Sequence, residues 1–173
     1  ALDARAIDLL VESAPLHDFG KVGIPDRILL KPGPLSVDEW RVMRTHTTIG
    51  AKAIELAERD TDRSAEFLAT AKQIALSHHE RWDGGGYPQG LVGAAIPLAA
   101  RIMAVADVFD ALISKRAYKP ALPLDRATAI IIEGRGTHFD PDVVDAFIAH
   151  MDEFAAIAAR YADLAGQTLN TTP

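Results

Sequence analysis

Apolar residues recur at the spacing of an α-helix along most of the chain, and no stretch alternates in the period-two pattern of a half-buried strand. Two segments rich in proline and glycine, 22–35 and 82–97, interrupt this pattern. The expected fold class is therefore all-α, a helical bundle. The spacing predicts helices over about 3–14, 36–57, 64–80, 98–114 and 124–133, and a last helix from residue 140.

Local signals mark several of the predicted helix ends. Ser36, with Glu39 three residues later, has the pattern of a capping box. Asp140 followed by Pro141 has the pattern of an N-cap and a first helical residue. Pro15 is expected to disturb the end of the first helix, because it has no backbone N–H and its ring clashes with the preceding turn.

The size of the chain allows one domain with a proper core. Of its 173 residues, 49% are hydrophobic and only 6% aromatic, which favours packed helices over a sandwich or a barrel. The chain begins at Ala1 without a methionine, at the edge of the first predicted helix, so we expect the N-terminal helices of the domain to be missing from this chain. The predicted domain covers residues 1–165, followed by a frayed tail over 166–173.

Charge and the absence of cysteine narrow the classes of function. The formal net charge of −6 disfavours long nucleic acids, whereas a small phosphodiester can bind where metal ions reverse the local charge. No cysteine is present, so disulfides and thiolate metal sites are excluded. No apolar run approaches the ~20 residues that cross a bilayer, and residues 1–30 lack a secretory signal. A cytoplasmic protein with no membrane segment is expected.

Imidazole and carboxylate side chains occur together near the predicted helix ends. His17 and Asp18 are adjacent, as are His78 and His79, and His46 lies in the second helix. Neighbours on an ideal helix point about 100° apart, so an adjacent pair shares a metal most easily where the helix ends. Such ligands suit first-row metals such as iron, manganese or zinc. Asp18 has two carboxylate oxygens and can bridge two cations, which one imidazole cannot do.

Asp107 is the strongest single signal for a buried cation. It lies in the segment 98–114, which is apolar nearly all round and is expected to form a central buried helix. An ionised carboxylate that is removed from water costs several kcal/mol unless it is paired or bound to a metal. A cationic group is therefore expected next to Asp107.

Each of these residues alone has an ordinary structural explanation. A lone histidine such as His46 is usually a core residue, and a buried aspartate such as Asp107 is as often a salt-bridge partner as a metal ligand. The glycines at 84–86 would normally form only a turn. His138 and His150 have no supporting context. The hypothesis of a metal site depends on the combination.

This combination resembles the HD-GYP family of HD-domain phosphohydrolases over about residues 10–150. The run 17–21 is similar to the HD-x-G-K signature, and the run 78–88 is similar to the second signature, with Gly-Tyr-Pro at its end. Several motifs in the same order are far more specific than one motif alone. Further agreement is found at 22–26, 30–35, 43–46 and 106–112.

The resemblance implies a helical bundle of the HD-domain phosphohydrolase type that contains a site for two or three divalent metal ions. Iron or manganese is expected, with zinc, nickel or magnesium as alternatives. The implied activity is the hydrolysis of cyclic di-guanylate (cyclic di-GMP) to linear pGpG, to GMP or to both, in bacterial second-messenger signalling. By position, one ion would be bound by His17, Asp18 and Asp107, and Asp18 would bridge to a second ion bound by His46, His78 and His79.

The resemblance also implies residues that contact the substrate. Lys21 lies beside the metal site and would act with Asp18 in catalysis by contacting a substrate phosphate. Tyr87 would help to shape the pocket. Arg116 and Lys119 match positions that bind the phosphates of the dinucleotide, and they lie three residues apart, on the same side if the helix continues there.

One feature of the family is missing from this sequence. HD-GYP proteins have further metal ligands on a helix well before the His-Asp pair, whereas no histidine precedes His17, and Glu12 is too close to serve. Either the upstream helix is missing from this chain or the first metal site is incomplete, so a third metal ion is not expected in this chain. Two alternatives remain open: a catalytically impaired module that acts in binding or interaction, and a phosphohydrolase for another nucleotide. The complete protein is also expected to have an N-terminal receiver or sensor domain and to form a dimer.

Overall fold

The fold is seen in a computed structural model, which describes the backbone of residues 2–59, 65–114 and 120–168 and the side chains of 2–59, 66–114 and 120–160. All regular structure in these ranges is helical, apart from two isolated β-bridges. The prediction of an all-α fold is confirmed. The α-helices are α1 (Ala4–Ser13), α2 (Asp26–Leu29), α3 (Val37–Arg44), α4 (His46–Arg59), α5 (Ala65–Ser77), α6 (Leu98–Ile113), α7 (Leu124–Glu133), α8 (Pro141–Ala149) and α9 (Met151–Thr168).

The predicted helix-end signals act as expected. Ser36 and Glu39 form the complete capping box at the start of α3, and the Asp140 side chain accepts a hydrogen bond at the start of α8. Near Pro15 the chain leaves α1 and forms a 3-10 segment, Ala14–Leu16, followed by a second one, Phe19–Gly23. None of the helices in the described ranges is both long and apolar enough to cross a bilayer.

The predicted single helix over 36–57 is wrong, because the chain breaks between α3 and α4. Thr45, His46 and Thr47 each donate a side-chain hydrogen bond to the carbonyl three residues earlier, at 2.6, 2.8 and 3.1 Å. These bonds satisfy carbonyls at the end of α3 locally, in competition with a continuous helical ladder. The break makes His46 the first residue of a new helix.

The last predicted helix is also divided into two, α8 and α9. His150, between them, has φ −113° and ψ 22°, outside the helical region, and its carbonyl accepts the N–H of Phe154. The change of direction lets Phe154 pack edge-on against Phe147, with ring centroids 4.7 Å apart. Helix α9 extends to Thr168, beyond residue 165, where the sequence predicts the domain to end.

Two clusters of buried apolar side chains hold the helices together. Helix α6 packs against α5, α7 and α8, which agrees with its predicted central position. One cluster joins α4 and α5 through Ile54, Leu68, Ala71 and Ala75. The other lies between α6 and the C-terminal helices and consists of Ala104, Val105, Phe109, Leu112, Ala127, Ile131, Phe139, Val144 and Phe147.

Candidate metal centre

Both adjacent pairs of candidate ligands lie where helices end. His17 and Asp18 form the turn between the two 3-10 segments that follow α1. His78 and His79 follow directly after the end of α5, although the His78 N–H still bonds to the carbonyl of Ile74 as in a helix. In an ideal helix the side chains of two neighbouring residues point about 100° apart. Outside the helix this restriction does not apply, so both members of a pair can face the same point.

Asp18 lies at the centre of a group of imidazoles. Its Oδ1 is 3.5 Å from Nε2 of His46 and 3.9 Å from Nε2 of His78. Its Oδ2 is 3.2 Å from Nε2 of His17. One ligand atom each from Asp18, His46, His78 and His79 lies within 4.8 Å of the other three. We call these four residues the His-Asp cluster, and their spacing allows one metal ion to contact all of them.

Asp107 adjoins the His-Asp cluster through His17. Its Oδ1 is 3.8 Å from Nε2 of His17, so His17 lies between the carboxylates of Asp18 and Asp107. Asp107 is less buried than predicted, since 22% of its side chain is exposed. The residue faces the cluster and not the apolar core. All six predicted ligands are therefore close together.

Hydrogen bonds to the backbone orient the imidazoles. Nδ1 of His17, His46 and His78 lies 2.8, 2.8 and 2.9 Å from a carbonyl oxygen three or four residues earlier. A carbonyl only accepts, so each Nδ1 carries the proton and donates it. In the neutral ring this leaves the lone pair on Nε2, which is the atom that faces Asp18. Metal-bound histidines typically show this arrangement.

Three buried polar atoms at the centre of the cluster have no hydrogen-bond partner among the residues that the structure describes. They are Oδ1 of Asp18, Nε2 of His46 and Nε2 of His78. An unsatisfied buried polar atom costs about 1–3 kcal/mol, so three together need a compensating interaction. All three atoms have a lone pair directed at the same space, and a cation is the partner that satisfies all of them at once. The cluster therefore fits a metal ion.

Burial keeps the three histidines of the cluster neutral. It lowers the pKa of His46, and it lowers the pKa of His78 to about 4. Burial together with the neighbouring imidazoles lowers the pKa of His79 to about 2. All three rings are thus unprotonated at neutral pH, the form in which imidazole binds a metal.

In contrast to the three buried histidines, the surroundings of His17 and Asp18 favour the charged forms of both side chains. Burial opposes the charged form of His17, but its contact with Asp18, its bond to the Ala14 carbonyl and the charges of Asp18 and Asp107 outweigh this and raise its pKa. Burial likewise opposes ionisation of Asp18, yet His17 and Lys21 hold its pKa well below the usual range. Asp18 is therefore an anion at neutral pH.

The predicted substrate-binding residues lie partly beside the cluster and partly outside the described residues. Nζ of Lys21 donates to Oδ2 of Asp18 at 2.5 Å, and its side chain is 38% exposed. The ring of Tyr87 stacks on His79, with centroids 4.9 Å apart and planes 29° apart. Arg116 and Lys119 lie outside the described residues, so their role stays a prediction.

Glu80 is a positioning residue that the sequence did not indicate. Its carboxylate is 2% exposed and accepts the backbone N–H of Gln89 at 2.7 Å and that of Leu91 at 3.0 Å. These bonds hold the loop that carries Tyr87 against the end of α5. Gly86 completes the contact, because a Cβ there would lie 2.3 Å from the backbone nitrogen of Arg81. The signal in the sequence that could have indicated Glu80 is its position directly after the candidate ligands His78 and His79.

Substituting Glu80→Gln is expected to lower the free energy of unfolding by about 1–3 kcal/mol. The amide has only one accepting oxygen, so one buried N–H of the loop loses its partner while the side-chain volume is conserved. Thermal unfolding measures the effect. Glu55→Gln is the matched control, because Glu55 is 48% exposed and forms a surface ion pair with Arg59, and it is expected to change stability by less than ~0.5 kcal/mol. Equal melting temperatures for both variants would contradict this role of Glu80.

A comparison with known families decides the class of the protein. The HD domain family matches residues 4–143, which include every predicted metal ligand. The chain belongs to the HD domain family. The resemblance to its HD-GYP members, drawn from the motifs, is confirmed by the relatives of this HD domain.

Two curated relatives are similar to this chain over most of its length. A cyclic di-GMP phosphodiesterase of Vibrio cholerae is 61% identical over 92% of the chain and 32% of its own length. A cyclic di-GMP phosphodiesterase response regulator of Xanthomonas campestris is 48% identical over 92% of the chain and 41% of its own length. The chain thus spans between about a third and two fifths of the length of these curated relatives.

The fold has a counterpart among solved structures. A crystal structure of a cyclic GMP-AMP-specific phosphodiesterase from Vibrio cholerae matches 99% of this chain and 45% of its own chain, with a TM-score of 0.63 and 22% identity. This similarity supports the assignment of the fold. It agrees with the helical bundle that the sequence predicts.

Proposed function

We propose that this HD domain is the catalytic part of a metal-dependent phosphodiesterase that hydrolyses cyclic di-GMP. The main observation is the group of three buried polar atoms, on Asp18, His46 and His78, that face one point and lack hydrogen-bond partners within the described part of the chain. The names of the relatives give the substrate class, since the first of them is a cyclic di-GMP phosphodiesterase. The products would be linear pGpG, GMP or both.

The donor atoms favour two divalent ions. His17, Asp18 and Asp107 would hold one ion, and Asp18 would bridge to a second, held also by His46, His78 and His79. Nitrogen and oxygen donors without thiolates suit iron or manganese, with zinc, nickel and magnesium as alternatives. When bound, such ions would lower the pKa of a water molecule and offset negative charge on the phosphate. A third ion is not part of the proposal.

The side chains around the cluster would bind and orient the substrate. Hydrolysis joins a water oxygen to phosphorus and breaks the bond from phosphorus to the 3′ oxygen, which leaves a linear dinucleotide. Lys21, held at the cluster by Asp18, would place its ammonium group beside the reacting phosphate. Tyr87 would form one wall next to His79. Arg116 and Lys119 are proposed to bind phosphate as well.

The proposed activity is tested on the full-length protein by metal analysis combined with chromatography of the products. The expected result is about two equivalents of a first-row metal and conversion of cyclic di-GMP to pGpG or GMP. Removal of the metal by a chelator should abolish turnover, and adding back iron or manganese should restore it. A metal-loaded protein that binds cyclic di-GMP without cleaving it would favour the alternative of an impaired binding module.

Cyclic GMP-AMP is the competing substrate, because the protein in the similar solved structure is described as specific for it. The proposal for cyclic di-GMP is contradicted if kcat/KM for cyclic GMP-AMP is the higher of the two.

A receiver domain in the complete protein is proposed by analogy with the response regulator among the relatives. A dimer and a cytoplasmic location are further proposals, which size measurement and cell fractionation of the full-length protein would test.

A further inference from the structure

Arg44 extends a stack of side chains that begins at the His-Asp cluster. It lies in the last turn of α3, two residues before His46. Its guanidinium carbon is 4.9 Å from the centroid of the Tyr87 ring, which in turn stacks on His79. An exposed cation is thereby linked to the metal ligands through one aromatic ring. None of the predicted functions of the sequence includes Arg44.

The guanidinium of Arg44 has no carboxylate partner among the residues that the structure describes. Arg41, one turn earlier on the same helix, differs in this respect, because its Nη1 donates to Oδ1 of Asp38 at 2.7 Å. A guanidinium that stacks on an aromatic face keeps its in-plane N–H groups available for a ligand. Arg44 therefore carries N–H donors next to the ring that stacks on His79.

We propose that Arg44 is a substrate-binding residue that donates to a phosphodiester of the cyclic dinucleotide. The inference rests on the proposed function. A cyclic dinucleotide has two phosphodiesters in one small ring, so when one lies at the His-Asp cluster, the other lies only a short distance away. The planar fork of an arginine matches two phosphate oxygens, and the contact is charge-assisted. In a chain with net charge −6, an unpaired cation at this place favours an anionic ligand.

A purely structural role for Arg44 would have a different origin. Arg41 and Arg44 both lie in the last turn of α3, where a cation interacts favourably with the helix dipole. The hydrogen bond from Thr47 uses only the backbone carbonyl of Arg44, which an alanine retains. Arg41→Ala therefore removes the same charge from the same turn without touching Tyr87, and it serves as the matched control.

The test is steady-state kinetics of the metal-loaded full-length protein with cyclic di-GMP. We expect Arg44→Ala to raise KM about ten- to a hundredfold, the effect of losing one charged hydrogen bond, with a smaller change in kcat and the same metal content. Arg44→Lys should recover part of the affinity, because it keeps the charge and loses the fork. Arg41→Ala should behave as the wild type. Because both substrates contain two phosphodiesters, the loss should be equal for cyclic GMP-AMP.

Several results would overturn the inference. An unchanged KM in Arg44→Ala, or equal losses in Arg44→Ala and Arg41→Ala, would assign the residue to the surface or to the helix end. A loss confined to cyclic di-GMP would mean that Arg44 contacts a guanine base and not a phosphate. If the metal-loaded wild type neither binds nor cleaves a cyclic dinucleotide, the proposed function fails and the inference fails with it. If the wild type cleaves the dinucleotide and Arg44→Ala has the same KM, the inference about Arg44 is refuted but the proposed function is not.

Discussion

Asp18→Ala is expected to remove the bound metal and to reduce turnover more than about 100-fold. Asp18 is the residue whose two oxygens face both halves of the site, with His46 and His78 on one side and His17 on the other. Its loss leaves a group of imidazoles with no anion between them, and each of the two proposed metal ions would lose a ligand. Elemental analysis and hydrolysis of cyclic di-GMP by the same preparation measure the two effects together.

Two further variants make this result specific. Asp18→Asn keeps the shape of the side chain but not its charge, so it is expected to lose metal almost as completely. His138→Ala removes a histidine that lies outside the cluster, stacked on Phe139, and it is expected to retain both metal and activity. Substantial turnover by Asp18→Ala with normal metal content would refute the bridging role.

Gly20→Ala is expected to lower the free energy of unfolding by about 3 kcal/mol or more and to empty the metal site. A Cβ at position 20 would lie 1.8 Å from the carbonyl oxygen of His46 and 2.5 Å from the backbone nitrogen of Gly50. Both atoms belong to the backbone of α4, so no side-chain rotation relieves the contact. The turn with His17 and Asp18 would have to move away from α4.

Thermal unfolding and metal content measure this displacement. For a chain of this size, a loss of 3 kcal/mol lowers the melting temperature by roughly 6–12 °C. Gly23→Ala is the matched control, because its Cβ would meet Cγ2 of Ile49 at 3.0 Å, and that side chain can shift. A Gly20→Ala variant as stable and as metal-rich as Gly23→Ala would show that the turn can be displaced without cost.

The architecture and most of the predicted ligands could be found in the sequence because both depend on local patterns. Helical spacing of apolar residues is a property of neighbouring positions, so it predicts α5, α6 and α7 to within a few residues. The pairs His17–Asp18 and His78–His79 attract attention because two adjacent ligands are chemically unusual. Their position at helix ends followed from the predicted helix boundaries.

The break between α3 and α4 could not be predicted in the same way. A one-residue interruption at Thr45 hardly disturbs the apolar spacing, so 36–57 has the pattern of one helix. The interruption depends on side-chain hydrogen bonds to carbonyls at the end of α3, which the sequence permits but does not require. Its effect is to point Nε2 of His46 at Asp18, at 3.5 Å.

The sequence by itself determined the all-α fold and which residue types could bind metal. Only the tertiary structure decided how the ligand atoms meet. Asp18 lies between three imidazoles, Asp107 lies at His17, and three buried atoms have no hydrogen-bond partner in the ranges that the structure describes. It also decided the contacts of Glu80, Gly20 and Arg44, whose partners lie far away along the chain or on the next helix. The physical reason is that helix formation depends on neighbours within a turn, whereas a binding site depends on distances between segments that only packing brings together.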